Sequence, residues 1–148
     1  MVTTTVSSAT FLSDTIKYLK NILQDNILDP IANVRSGSFV LTEYPRQEVS
    51  YPIITIRDVG TTQQARLGMQ SEGTIIRIGV EVRIWARNVK ERDELFDEVY
   101  NYLRTNQFSS DDITEANLHD FDVTSIVNVS EENVKSKVME VRYLFLAE

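Results

Sequence analysis

Residues 51–104 read YPIITIRDVGTTQQARLGMQSEGTIIRIGVEVRIWARNVKERDELFDEVYNYLR, and this stretch decides the fold. Residues 53–57, IITIR, are β-branched up to the final Arg and are followed by Asp58 and Gly60, which predicts a short strand. Residues 59–74 follow as a polar segment with three glycines, a central Arg66 and two large apolar side chains, Leu67 and Met69. They are expected to form either a long loop or the two arms of a protruding hairpin. Loops longer than about 12 residues inside a compact domain are usually functional or disordered, and this one is expected to touch a partner. Then comes the clearest strand, residues 75–86. Ile76, Ile78, Val80, Val82, Ile84 and Ala86 alternate with Arg77, Gly79, Glu81, Arg83 and Trp85, so one face is apolar and the other mixed and charged. Asn88, with Glu91 three residues on, is a capping-box start for a helix over 89–104. Arg92, Leu95, Phe96, Val99 and Leu103 mark its inner face, with the Arg stem at the edge.

Working outward, Leu12, Ile16, Leu19, Leu23 and Ile27 make an apolar stripe that predicts a first helix over 10–28, started by Thr10 or Ser13 and closed before Pro30. Residues 31–50 read as an irregular connection with a strand candidate at 39–43. Beyond the second helix, residues 111–118 are expected to form one or two helical turns. Residues 121–130 and 134–147 are predicted to form a hairpin turned at Ser130-Glu131-Glu132-Asn133. In its second strand Val138, Glu140, Arg142 and Leu144 alternate with Met139, Val141, Tyr143 and Phe145, large groups on both faces that suit the middle of a sheet or a covered surface. The expected fold is a single α+β domain over 10–148, a mostly antiparallel sheet of about five strands flanked by two main helices. A Thr/Ser-rich N-terminal arm over 1–9 precedes it.

The chain has 148 residues and a net charge of −7, which argues against general nucleic-acid binding. The charge is uneven. Residues 57–92 carry seven Lys/Arg against four Asp/Glu, and residues 93–148 carry four against thirteen. If these regions lie on different faces, copies would attract head to tail, a geometry that gives rings or filaments. There is no cysteine, which excludes disulfides, thiolate metal sites and a cysteine nucleophile. No run is long enough to span a membrane, and the first residues lack the basic and apolar regions of a signal peptide. A fold that needs no disulfide suits a cytosolic folding compartment.

No residues point to catalysis. The one histidine, His119, has no nucleophile elbow to serve, and phosphate-cradling glycine loops are absent. The best metal candidate is Asp111, Asp112, Glu115, His119, Asp120 and Asp122. Were 111–119 helical, Glu115 and His119 would share one face, though acids here also suit a helix start. The pairs Asp93/Asp97 and Glu94/Glu98 are expected on the solvated face of the second helix. The expectation is no enzyme, no cofactor and no metal. The interface candidates are Gln63, Gln64, Arg66, Leu67 and Met69 from the polar segment, with Arg77, Glu81 and Arg83 from the mixed face of the long strand.

The order and texture of residues 51–104, set between FLSDTIKYLKNIL (11–23) and VMEVRYLFLA (138–147), resemble the tail-terminator and neck proteins of tailed bacteriophages. The resemblance implies a small α+β domain that forms a ring, usually a hexamer, capping the tail tube and docking the head or neck. It implies as partners further copies of the chain, the tail tube protein and neck or connector proteins. Non-specific contact with the genome passing through the lumen is also implied, with no membrane partner. The place implied is the virion, after assembly in the host cytoplasm. The chain departs from the pattern in its longer N-terminal arm. It also lacks an evident basic belt for a lumen, unless Arg57, Arg66, Arg77, Arg83 and Arg87 gather there. The competing expectations are another neck component, such as a head-closure or connector adaptor, a metal-dependent or ligand-binding protein using Glu115 and His119, and a dimeric cellular adaptor.

Overall fold

The computed structural model describes residues 11–31, 39–42, 50–67, 73–106, 118–130 and 134–147, with 11–12, 61–67, 73–75, 106, 118–121 and 145–147 described by their backbone. The elements run α1 (Phe11–Asn26), β1 (Val40–Leu41), β2 (Ile53–Leu67), β3 (Gly73–Ala86), α2 (Val89–Asn106), β4 (Leu118–Ser130) and β5 (Lys135–Ala147). One five-stranded sheet holds all the described strands in the order β1-β2-β3-β5-β4. β1 pairs parallel to β2 and every other ladder is antiparallel. The two helices and mostly antiparallel sheet make the α+β domain that the sequence implied.

The alternation in β3 sets the core. Ile78, Val80, Val82 and Ile84 are buried, and register places Ile54 and Ile56 of β2 beside them on one side and Met139, Val141 and Tyr143 of β5 on the other. The two helices cover this one face, and the result is a single cluster that also takes in Leu19, Leu23, Leu95 and Val99. A fully buried aliphatic side chain here contributes about 1.5–3 kcal/mol. β5 lies between β3 and β4, with Met139, Val141 and Tyr143 buried on the helix-covered face and Val138 and Leu144 half-buried on the open face. No helix among the described residues is long and apolar enough to cross a membrane.

The first helix departs from its predicted stripe in detail. Its buried face is Thr15, Tyr18, Leu19, Ile22 and Leu23, and Ile16 is only partly buried. The stripe is wide, and the column holding Tyr18 and Ile22 turns inward with the Leu19 and Leu23 column. The helix ends with Ile27 N–H donating to Leu23 O (2.9 Å) and with the Asn26 side chain donating to Ile22 O (2.8 Å). Gln24 reaches across to β1, where its Oε1 accepts from the N–H groups of Phe39 (3.2 Å) and Val40 (3.0 Å). The strand candidate at 39–43 is thus a two-residue strand, held by that side chain and by the Ile54 N–H to Phe39 O bond.

β2 corrects the predicted end of the strand at residue 57. The polar segment forms hairpin arms, and the β2–β3 ladder continues to Leu67↔Gly73. Two irregularities, at Asp58/Gly60 and Gln63/Ala65, bend it. At the first of these the Asp58 carboxylate accepts from Gly60 N–H (3.1 Å). Across the ladder, a Cβ on Gly79 would lie 3.2 Å from Gly60 O, so the glycine lets the bulged backbone approach. Residues 68–72, the arm at 1–9 and the segment 111–117 lie outside the described residues.

Candidate functional site

The open sheet face is built by the odd positions of β3. Arg77, Glu81, Arg83 and Trp85 alternate with the buried residues, so the pleat turns them away from the helices. Cross-strand register adds Thr55 and Arg57 from β2 and Val138, Glu140, Arg142 and Leu144 from β5. Four arginines therefore share this face with Glu81, Glu140 and, opposite Arg142, Asp122.

Most of these groups are committed within the domain. Arg57 grips Glu81 through two nitrogens, at 2.7 and 3.1 Å. Glu81 stands directly opposite Glu140, a like-charge pair that would be unfavourable alone. Arg57 on one side and Arg142, 3.7 Å from Glu140, on the other offset it. Arg83 donates through Nε (3.2 Å) and Nη2 (2.9 Å) to Ser136 Oγ. Its guanidinium also lies 3.9 Å from the centroid of the Trp85 ring, a cation–π contact. Trp85 in turn donates from Nε1 to Thr55 Oγ1 (2.9 Å). The Nε of Arg77 is buried and has no hydrogen-bond partner. Of the three mixed-face candidates, then, Glu81 and Arg83 act first inside the domain, and Arg77 retains unused donor capacity.

The remaining interface candidates gather at the hairpin. Gln63 registers with Ile76, Gln64 falls at an irregularity, Arg66 registers with Thr74 and Leu67 with Gly73. Met69 lies outside the described residues. Arg77 belongs with this group, since it registers with Thr62, whereas Glu81 and Arg83 sit further down the same strand. The possible arginine belt forms only in part. Arg57, Arg77 and Arg83 share the open face, but Arg87 lies past the strand end and is bound to Glu91 (2.8 Å), and Arg66 is at the hairpin.

The helix cap departs from the reciprocal box. Asn88 Oδ1 accepts from Glu91 N–H (2.9 Å) as expected, but the Glu91 carboxylate reaches the N–H and guanidinium of Arg87 instead of Asn88. Asp93 corrects the solvated-face reading of the α2 carboxylates. It accepts from buried Arg92 (3.0 Å) and from Lys137 of β5 (3.2 Å), while Lys137 lies 4.6 Å from the Phe96 ring centroid. The Arg92 hydrogen bond first, then Lys137, hold the Asp93 carboxyl below its ordinary range against the opposing effect of desolvation. Glu94, Asp97 and Glu98 are exposed as expected.

The acidic and histidine cluster does not assemble as a helix-borne pair. Leu118 and His119 are drawn into the ladder with β5, opposite Phe145 and Leu144, so the expected helix over 111–118 does not reach them. Asp111, Asp112 and Glu115 lie outside the described residues, and among the described residues no group of three or more metal-ligating side chains is present. A cavity of about 470 Å³ opens beside Pro30 and the flank of α2, lined by Lys90, Glu91, Glu94 and Glu98 among others. Its charges include the Lys90–Glu94 pair (3.9 Å) and the Glu91–Arg87 pair, ordinary i,i+4 contacts of a wet helix flank.

Sequence reasoning missed one surface, the outer edge of β4. Ile126 and Val127 are 48 % and 51 % exposed, and the two together leave apolar groups on both faces of that edge. The available signal was the consecutive pair in VTSIVNV, which breaks the alternation of a strand with one wet face. No family model matches the chain, and no curated protein matches it.

Proposed function

We propose that this chain is a structural ring subunit of the head–tail joint of a tailed phage, in the role of a tail terminator. It works by surface complementarity and performs no reaction. The observation that carries this reading is the two-part surface of the sheet. One face is sealed by two helices, and the other is a broad field of arginines and carboxylates flanking one another, with a hairpin that continues past Ile56, the last buried residue described on β2, to Leu67. Arg57–Gly60 are all exposed on that arm. Such a field suits repeated contact with a protein surface, and its four arginines beside three carboxylates would tolerate genome passage without reading bases.

Light scattering on the purified chain, followed by negative-stain imaging, tests the reading. A ring, with six copies expected, supports it. A two-fold dimer counts against it, and so does a monomer that also fails to bind polymerised tail tube protein. Tube binding also distinguishes a terminator from a head-closure or connector adaptor.

A further inference from the structure

Among the described residues the sheet ends in two open edges. β4 has β5 as its neighbour on one side and, among the described residues, no strand on the other. Residue 122, residues 124–128 and residue 130 of β4 are all exposed. On the other side β1 pairs with β2 only at Ile54 and Thr55, so the outer edge of β2 beyond them has no strand among the described residues. Exposed strand edges invite pairing, and folded proteins normally blunt them with Lys, Pro or a short strand. β4 spans 118–130 and contains neither Lys nor Pro. Of the five exposed large apolar side chains among the described residues, three sit on these two edges: Val59 on β2, Ile126 and Val127 on β4.

We infer that copies of this chain join head to tail through the sheet itself, β4 of one copy pairing antiparallel with Arg57–Leu67 of β2 in the next. The inference rests on the ring reading above and names the contact that closes it. Strand direction supports it. β2 runs against β3, β3 against β5 and β5 against β4, so β4 runs opposite to β2. A rotation about an axis along the strands keeps direction, and it brings the next β2 against β4 as an antiparallel neighbour, the more stable ladder. Charge supports it too. β4 carries Asp120 and Asp122 with no Lys or Arg, whereas Arg57–Leu67 carries Arg66 and an Arg57 shared with Glu81, against Asp58. The two edges differ, so the contact is heterologous and generates a ring when the rotation closes.

The chain has no cysteine, so introduced thiols report this contact without background. Val59→Cys protein is mixed with each of Thr124→Cys, Ser125→Cys, Ile126→Cys, Val127→Cys and Asn128→Cys, a panel that spans the stagger, and oxidised. A disulfide forms only where the Cβ atoms come within about 4.5 Å. At least one mixture is expected to give a linked pair, and the matching double variant a ladder of linked multimers, while each single variant stays unlinked. Val127→Lys is expected to abolish the ring with an unchanged circular dichroism spectrum, and Val127→Thr to retain it. A ring that forms with no linkage in any mixture, and that Val127→Lys leaves intact, overturns the strand pairing and leaves the ring reading standing. Self-linkage of a β4 cysteine variant overturns it in favour of a two-fold dimer. Monomers throughout overturn it as well, and tube binding then decides the ring reading separately.

Discussion

Asp93→Ala removes the carboxylate that accepts from both Arg92 and Lys137, and so unties α2 from β5 at its first turns. The Arg92 side chain is 8 % exposed and that of Lys137 17 %, while Asp93 itself is 42 % exposed. A hydrogen bond to a charged group contributes about 1.5–3 kcal/mol. The half-wet position of Asp93 screens both bonds, which puts the combined loss at the low end, about 2 kcal/mol. In a domain of this size that is a fall of about 6 °C in the melting midpoint. Asp93→Asn keeps an acceptor without the charge and is expected to lose roughly half as much. The pH dependence follows from the direction of the shift. The folded carboxyl titrates below its ordinary value of 3.8, so its stabilisation is complete above that value and is lost as pH falls through the folded pKa. Urea unfolding at about pH 7 and about pH 2, followed by Trp85 fluorescence at one fixed protein concentration, measures both effects. Wild type and Asp93→Ala should differ at neutral pH and converge in acid. A neutral-pH loss under about 0.5 kcal/mol would refute the clamp. A loss undiminished in acid would assign the effect to packing instead of charge.

Burial pushes the Tyr143 phenol well above its ordinary value of 10.0. Above about pH 10 the unfolded chain loses a proton that the folded chain keeps, so stability should fall with pH by up to about 1.4 kcal/mol per unit from this group. Tyr143→Phe should remove that slope, and an unchanged alkaline limb in urea midpoints would count against it. Gln24→Ala leaves two buried N–H groups without their acceptor and should cost about 2 kcal/mol. Hydrogen exchange should then show the Phe39 and Val40 amides opening ahead of the rest of the sheet. Asn88→Ala should cost about 1 kcal/mol in unfolding experiments, with Asn88→Ser recovering most of it. Arg66→Ala and Met69→Ala should leave the fold intact and impair ring closure or tube docking in light scattering and imaging, and normal assembly by both would sink the assignment of the hairpin as an interface.

The parts of the fold that sequence made legible are those governed by strong periodicity. The alternation from Ile76 to Ala86 located the sheet core, and the spacing of Leu95, Phe96, Val99 and Leu103 gave the inner face of α2. Large apolar groups on both faces of 138–145, Val138 and Leu144 against Met139, Val141, Tyr143 and Phe145, pointed to an interior strand. What stayed hidden was set by partners distant in sequence. GTTQQARL read equally as loop or as hairpin arm, since its extended form comes from the ladder with Gly73–Gly79. Asp93 looked solvated because its partner Lys137 lies forty-four residues away. His119 looked available for a helix face because its strand neighbour, Leu144, is at the far end of the chain. For the same reason the arginines were visible but their engagement was not. Whether Arg83 could reach another molecule depended on Ser136, a residue with no signature of its own.

The placement of β5 between β3 and β4 bears on how the chain is made. A nascent chain extended only to Ser130 has no neighbour for β4, and the side of β3 that faces β5 is unpaired. Synthesis at about 5–20 residues per second leaves that gap open for a second or more after β4 leaves the ribosome. During that interval the underside of α2 and one edge of β3 are available to any passing strand. β5, translated after β4, closes the gap by inserting between two segments already made. Folding of the whole sheet, and any assembly that uses its outer strands, therefore waits on β5.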